Sequence, residues 1–155
     1  MRLDQLDLGY LALFAGQAVN AKVAAQLRRG GQPKVRESHG YLVQHLVEAP
    51  RSIGELAKRM AVTQQAVSKS VAELKRLGVV EVGRGSDARV REVALSARGR
   101  AMLEHTRELR GRLHRDLEKK LGVKRVAEAR ALLAHLLDLL DAAETVLQRR
   151  VRQPL

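Results

Sequence analysis

Five polar residues in one short stretch, Thr63, Gln64, Gln65, Ser68 and Lys69, carry side chains that can read duplex DNA. A glutamine amide can bond adenine at two points, a lysine can reach guanine or a phosphate, and a serine accepts several bases. Further along, Arg84, Asp87, Arg89 and Arg91 surround a turn-rich segment. Arginines there could enter a narrow minor groove, with Asp87 orienting Arg89. Other chemistry is poorly served. His39 and His45 lie six residues apart and His105 and His114 nine apart, spacings that do not share a helix face. There is no His-Glu-x-x-His pattern and no cysteine, so neither a metal site nor a cofactor is expected. Gly83-Arg84-Gly85 is not followed by the Gly-Lys-Ser/Thr of a phosphate loop, and no nucleophile sits beside a base. The chain does not read as an enzyme.

The elements that must hold these residues are legible in the local pattern. Ser52-Ile53-Gly54-Glu55 is a capping box. Ile53, Leu56, Ala57 and Met60 then repeat on one helix face. Ala61-Val62-Thr63 breaks that helix, and Thr63 is a natural N-cap for a second one ending at Leu77, just before Gly78. On this second helix Val67, Val71 and Leu74 form one narrow stripe facing the core. Gln65, Lys69, Ala72 and Arg76 fall opposite, Ser68 lies between, and Gln64 sits in the exposed first turn. That outer face holds no acid before Glu73. Two helices joined by a tight break form a helix-turn-helix, whose second helix enters the major groove. Two short strands are expected next, Val79–Val82 and Val90–Leu95, with Gly83 to Asp87 as the turn. Strand alternation puts Arg89 and Arg91 on the face of Val93 and Leu95.

From Ser52 to Gly99 the sequence resembles the multiple antibiotic resistance regulator (MarR) family of winged-helix repressors. Glu55-Leu56-Ala57, Val62-Thr63, Ala66-Val67-Ser68-Lys69, Val71, Glu73-Leu74 and Gly78 carry the likeness. Asp87-Ala88-Arg89, Val93-Ala94-Leu95-Ser96 and Gly99 continue it. The tip, Gly83 to Ser86, lacks the Pro-Asp stretch usual in the family. The resemblance implies a recognition helix presenting Gln64, Gln65, Ser68 and Lys69, and a wing presenting Asp87 and Arg89. It also implies effectors that are anionic and aromatic, held in a cleft which Arg36, His39 or Tyr41 could face. Without cysteine, the family's peroxide-sensing chemistry is excluded.

Charge agrees with a polyanionic partner. The 155-residue chain has a net charge of +12, and residues 51–100 hold 11 Lys/Arg against 5 Asp/Glu, the densest excess. Tyr10, Phe14 and Tyr41, the three aromatic residues, all lie outside that segment. Single-strand and RNA binders stack bases on aromatic platforms, so double-stranded DNA is the better partner. No apolar run is long enough to cross a membrane. Asp4 and Asp7 stand where a secretory leader would be basic, so a cytoplasmic protein is expected.

The remaining segments read as helices at Asp4–Arg29, Val35–Val47, Ser96–Leu121 and Val123–Arg149, giving a mainly α fold with a small β-wing. The expected organisation is one unit over 1–155. Within it, 34–100 forms the winged-helix lobe and 1–30 with 101–150 forms a helical dimerisation region. The last helix carries two adjacent apolar stripes, one of Val126, Leu133, Leu137, Leu140 and Leu147, the other including Leu132, Leu136, Leu139 and Val146. Together they are wider than a single core-facing stripe, so one can pack within the chain and the other on a second copy. Leu6 and Phe14 of the first helix could join them. The expected function is a homodimeric, sequence-specific transcriptional regulator, a repressor on a pseudo-palindromic operator relieved by a small ligand. Two alternatives stay open: a sequence-tolerant architectural DNA binder, and a helical adaptor whose winged helix binds protein.

Overall fold

The computed structural model describes residues 2–85 and 90–150. The fold is mainly α with one three-stranded antiparallel sheet. A 3-10 turn at Leu3–Gln5 precedes α1 (Leu8–Arg29) and α2 (Glu37–His45). Then come β1 (Arg51–Ser52), α3 (Ile53–Met60), α4 (Gln64–Arg76), β2 (Val80–Arg84) and β3 (Arg91–Leu95). The chain continues as α5 (Ala97–Leu121), α6 (Val123–Leu139) and α7 (Ala143–Leu147). Two compact units result, residues 1–34 with 105–136, and residues 35–104 with 137–155.

The second unit is organised by apolar faces that local caps aim inward. At the start of α3, Ser52 Oγ accepts from Glu55 N at 3.2 Å, and Glu55 Oε2 accepts from Ser52 N at 2.9 Å. Leu56, Ala57 and Met60 are thereby turned into the core. The helix ends without glycine: Ala61 takes the left-handed conformation at φ 55°. Val62 N then reaches back to Ala57 O at 3.1 Å, satisfying a carbonyl that helix termination would orphan. Thr63 Oγ1 accepts from Ala66 N at 3.2 Å and starts α4. This helix buries Val67, Val71 and Leu74 against Leu42, Leu46 and Val93 in a single core. Gly78, at φ 71°, turns the chain into the sheet.

The strand order is β1-β3-β2. Three strands rather than two form, because Arg51 pairs with Val93 and Ser52 with Glu92. The wing strands also shift from their expected limits: β2 begins at Val80 and extends through Gly83 and Arg84, and β3 begins at Arg91. Two helices differ as well. α1 begins at Leu8 rather than Asp4, because Asp7 Oδ1 accepts from Tyr10 N at 3.0 Å and caps it there. The expected helix from Val123 to Arg149 is broken after Leu139, where Asp141 turns left-handed at φ 52° and Ala142 N bonds Leu137 O at 2.9 Å.

The first unit contains α1, much of α5 and most of α6. Arg110 Nη2 donates to Asn20 Oδ1 at 2.7 Å, tying α5 to α1. Among its described residues only Val23 and Leu109 are buried apolar side chains. Leu8, Leu13, Phe14, Leu132 and Leu133 stay exposed.

Candidate nucleic-acid interface

α4 has the two-sided character that base reading needs. Its inner stripe is locked in the core, while Gln64, Gln65, Ser68 and Lys69 are all exposed. Thr63 is exposed too, but its hydroxyl oxygen is committed to the helix cap. The four side chains therefore sit on a helix that cannot roll without exposing Val67 and Leu74, each side chain worth about 1.5–3 kcal/mol of burial.

The wing supplies a second cationic element. β2 and β3 pair so that Arg84 lies opposite Arg91, next to Gly83 opposite Glu92. Directly opposed residues of an antiparallel pair share a face, and like charges there destabilise the hairpin. No carboxylate partner of either arginine is found among the described residues. Such a pair gains most from a polyanion laid across it. The strand register brings Arg91 opposite Arg84, a pairing not expected from the sequence. Asp87 and Arg89 lie outside the described residues.

A third feature fixes α4 from behind. His39, on α2, is 1% exposed. Its Nε2 lies 3.2 Å from Glu73 Oε2 and 3.1 Å from Arg36 Nη2, and Arg36 also pairs with Glu73. The first acid on the outer face of α4 is thus a tether to α2. Reading α4 alone could not find this role, since both partners belong to another helix. The Arg36-x-x-His39 spacing was the only local sign.

Residues 37–89 match the MarR family. The apo form of MarR from E. coli superposes with a TM-score of 0.61 at 26% identity, over 85% of this chain and 98% of that one. A MarR-family protein of Mycobacterium tuberculosis, in complex with p-aminosalicylic acid, gives 0.57 at 25% identity over 84% and 98%. A MepR mutant of S. aureus bound to an oligodeoxyribonucleotide gives 0.58 at 18% identity over 88% and 99%. The chain has a winged-helix fold, and its segment 37–89 is similar to the MarR family. None of the curated proteins matches it in sequence.

In this chain the residues expected to form an effector cleft are divided. Arg36 and His39 meet at Glu73, while Tyr41 is exposed and makes no polar contact among those described. The residues expected at a dimer contact are mostly open: Phe14 is 54% exposed, Leu132 54%, Leu139 69% and Val146 53%. Leu6 and Leu136 are half-buried.

Burial holds His39 below its ordinary pKa, and Arg36 adds to the effect, with Glu73 opposing. Burial likewise lowers His45. The unfolded chain keeps the ordinary value of 6.5. Below that value the unfolded state takes up protons that the folded state refuses, so stability is complete above it and falls as the pH drops. Melting temperature should therefore decline between about pH 7 and about pH 5.5, before carboxylates titrate. His39→Gln should flatten the decline, leaving the share due to His45. An unchanged slope in thermal melts of that variant would remove His39 from the account.

Proposed function

We propose that this chain is a homodimeric, sequence-specific regulator of transcription that binds double-stranded DNA, a repressor on a pseudo-palindromic site. The observation that carries the reading is the α4 face, with Gln64, Gln65, Ser68 and Lys69 exposed on a helix whose opposite side is fixed in the core. The Arg84–Arg91 pair and the net charge of +12 support a duplex partner, as does the likeness to a MepR mutant bound to an oligodeoxyribonucleotide. Arg84, Arg89 and Arg91 would grip the backbone and minor groove beside the half-site, with Asp87 orienting Arg89. No described helix is long and apolar enough to cross a membrane, and a cytoplasmic location is part of the proposal.

Relief by a small anionic aromatic ligand has a physical route. A ligand carboxylate near Arg36, His39 and Tyr41 would compete with Glu73 for Arg36 and loosen the tether on α4. The likeness to a protein complexed with p-aminosalicylic acid supports this class of ligand.

The test is a binding isotherm at fixed salt on a duplex selected from a random library and on its scrambled counterpart. Gln65→Ala should weaken the selected site by about 1–3 kcal/mol and leave scrambled DNA nearly unchanged. Equal losses on both would favour a sequence-tolerant architectural binder. No duplex binding at low salt would favour a protein-binding adaptor.

A further inference from the structure

We propose that a second site, separate from the base-reading face, binds a small hydrophilic polyanion of the pyrophosphate class. It is a cleft of about 570 Å³ between the end of α2, the outer side of α3 and residues 147–150. That size falls in the range of small-molecule sites, about 300–1,000 Å³. No residue of α4 or of the wing lines it.

Its chemistry is set by charge. Arg51, Lys58, Arg59, Arg149 and Arg150 line the cleft with Glu48 and Glu55. Both acids are already engaged. Glu55 closes the α3 capping box by accepting from Ser52 N and Oγ at 2.9 and 3.1 Å. Glu48 lies 3.7 Å from Arg51, whose Nε also donates to His45 O at 2.8 Å and whose side chain is only 13% exposed. Lys58, Arg59, Arg149 and Arg150 are left with no carboxylate partner among the described residues. Four cations facing one concavity repel each other, and that repulsion is relieved when an anion enters. Guanidinium groups match phosphate oxygens two at a time, which favours adjacent phosphates over a single carboxylate.

Two further observations agree. His45 Nε2 lies 3.3 Å from the Arg149 carbonyl oxygen, a bond that holds residues 147–150 against α2, and Arg149 takes the left-handed conformation, φ 53°, that brings this about. Burial depresses the pKa of His45; its bond to the Arg149 carbonyl opposes this, and the charges of Arg59, Arg149 and Arg51 add to the depression, as expected of an electropositive cleft. Leu147 is the one apolar lining residue. Sites for aromatic ligands are mostly apolar, so this cleft suits a hydrophilic anion instead.

The proposal does not depend on the DNA reading, since its first measurement is pyrophosphate binding without any duplex. Pyrophosphate is titrated calorimetrically into the full chain at constant ionic strength. Saturable binding at one site per chain is expected. The double variant Arg59→Ala with Arg149→Ala should weaken it at least about tenfold, the loss of charge-assisted bonds. The backbone carbonyl that His45 uses is retained in that variant. Lys69→Ala, on the recognition helix, should bind as the wild type does. Circular dichroism checks folding, and Lys58→Ala alone, at an exposed position, gives a second reading in the same direction. The proposal is overturned by the absence of saturable binding, by binding that the Arg59/Arg149 and Lys58 variants keep, or by loss in Lys69→Ala. It is also overturned if the double variant weakens duplex binding by the same factor, which would make the cleft a contact for DNA phosphates.

Discussion

Gly99→Ala is expected to destabilise the winged helix by about 3 kcal/mol or more, the upper end of overpacking costs. Gly99 is a buried residue in the first turn of α5. A Cβ there would stand 2.0 Å from the carbonyl oxygen of Val79 and 3.1 Å from its carbon. Most tight sites are relieved when a flexible side chain swings away. Here the obstacle is backbone, and it is held on several sides. Ser96 N donates to Val79 O at 3.1 Å, and Ser96 Oγ lies 3.1 Å from Val79 O and 2.6 Å from Gly78 O. The same hydroxyl oxygen accepts from Gly99 N at 2.9 Å, capping α5. Moving Val79 away would break these bonds and disturb Gly78, already in its left-handed turn. Moving α5 instead would lift Met102 and Leu103 out of the core. The change should therefore rival Leu56→Ala, a fully buried truncation costing about 2–5 kcal/mol. Equilibrium denaturation checks it. A loss under about 1 kcal/mol, the ordinary size of a point change, would show that α5 can slide on the sheet.

This junction shows where sequence reading succeeds and where it stops. Ser96 is recognisable as a cap because capping depends on a few consecutive residues. Gly99 could be noticed only as part of a family pattern, since the reason for it lies in Val79, across the sheet. The same division runs through the molecule. α3 and α4 are legible because caps and apolar period agree at Ser52 and Thr63. β1 is invisible because two residues have no alternation, and its pairing with β3 is a tertiary event. The break after Leu139 is hidden because apolar residues continue on both sides of Asp141, with neither Gly nor Pro to mark it. At the site, the exposed face of α4 follows from its buried stripe. The Arg84–Arg91 pair needed the strand register, and the role of Glu73 needed α2 in place.

Leu139→Asp should give a folded monomer, and the size of its effect separates two accounts of the apolar surface. Leu139 is 69% exposed on α6, and Leu132, Leu140, Val146 and Leu147 are exposed in the same C-terminal stretch. If the chain acts alone, an aspartate at so open a position stays in water and changes stability little, within about 0.5 kcal/mol. If a second copy covers this surface, the carboxylate is taken out of water without a partner, which costs several kcal/mol or forces the copies apart. The scarcity of buried apolar residues in the first unit favours the second account, because Leu8, Leu13, Phe14 and Leu133 also await a cover. Sedimentation of the wild type at micromolar concentration should therefore give twice 17.2 kDa, and Leu139→Asp should give the single mass with an unchanged circular dichroism spectrum. The loss should carry to DNA. A two-fold dimer places its recognition helices roughly 34 Å apart, one turn of duplex. The second helix then binds at high effective concentration, worth about 10²–10⁴ in affinity. The variant should lose that factor on a two-half-site duplex and keep wild-type affinity for one half-site. A wild-type chain that sediments at 17.2 kDa would end both expectations, since no paired reading of a pseudo-palindrome is possible for a monomer.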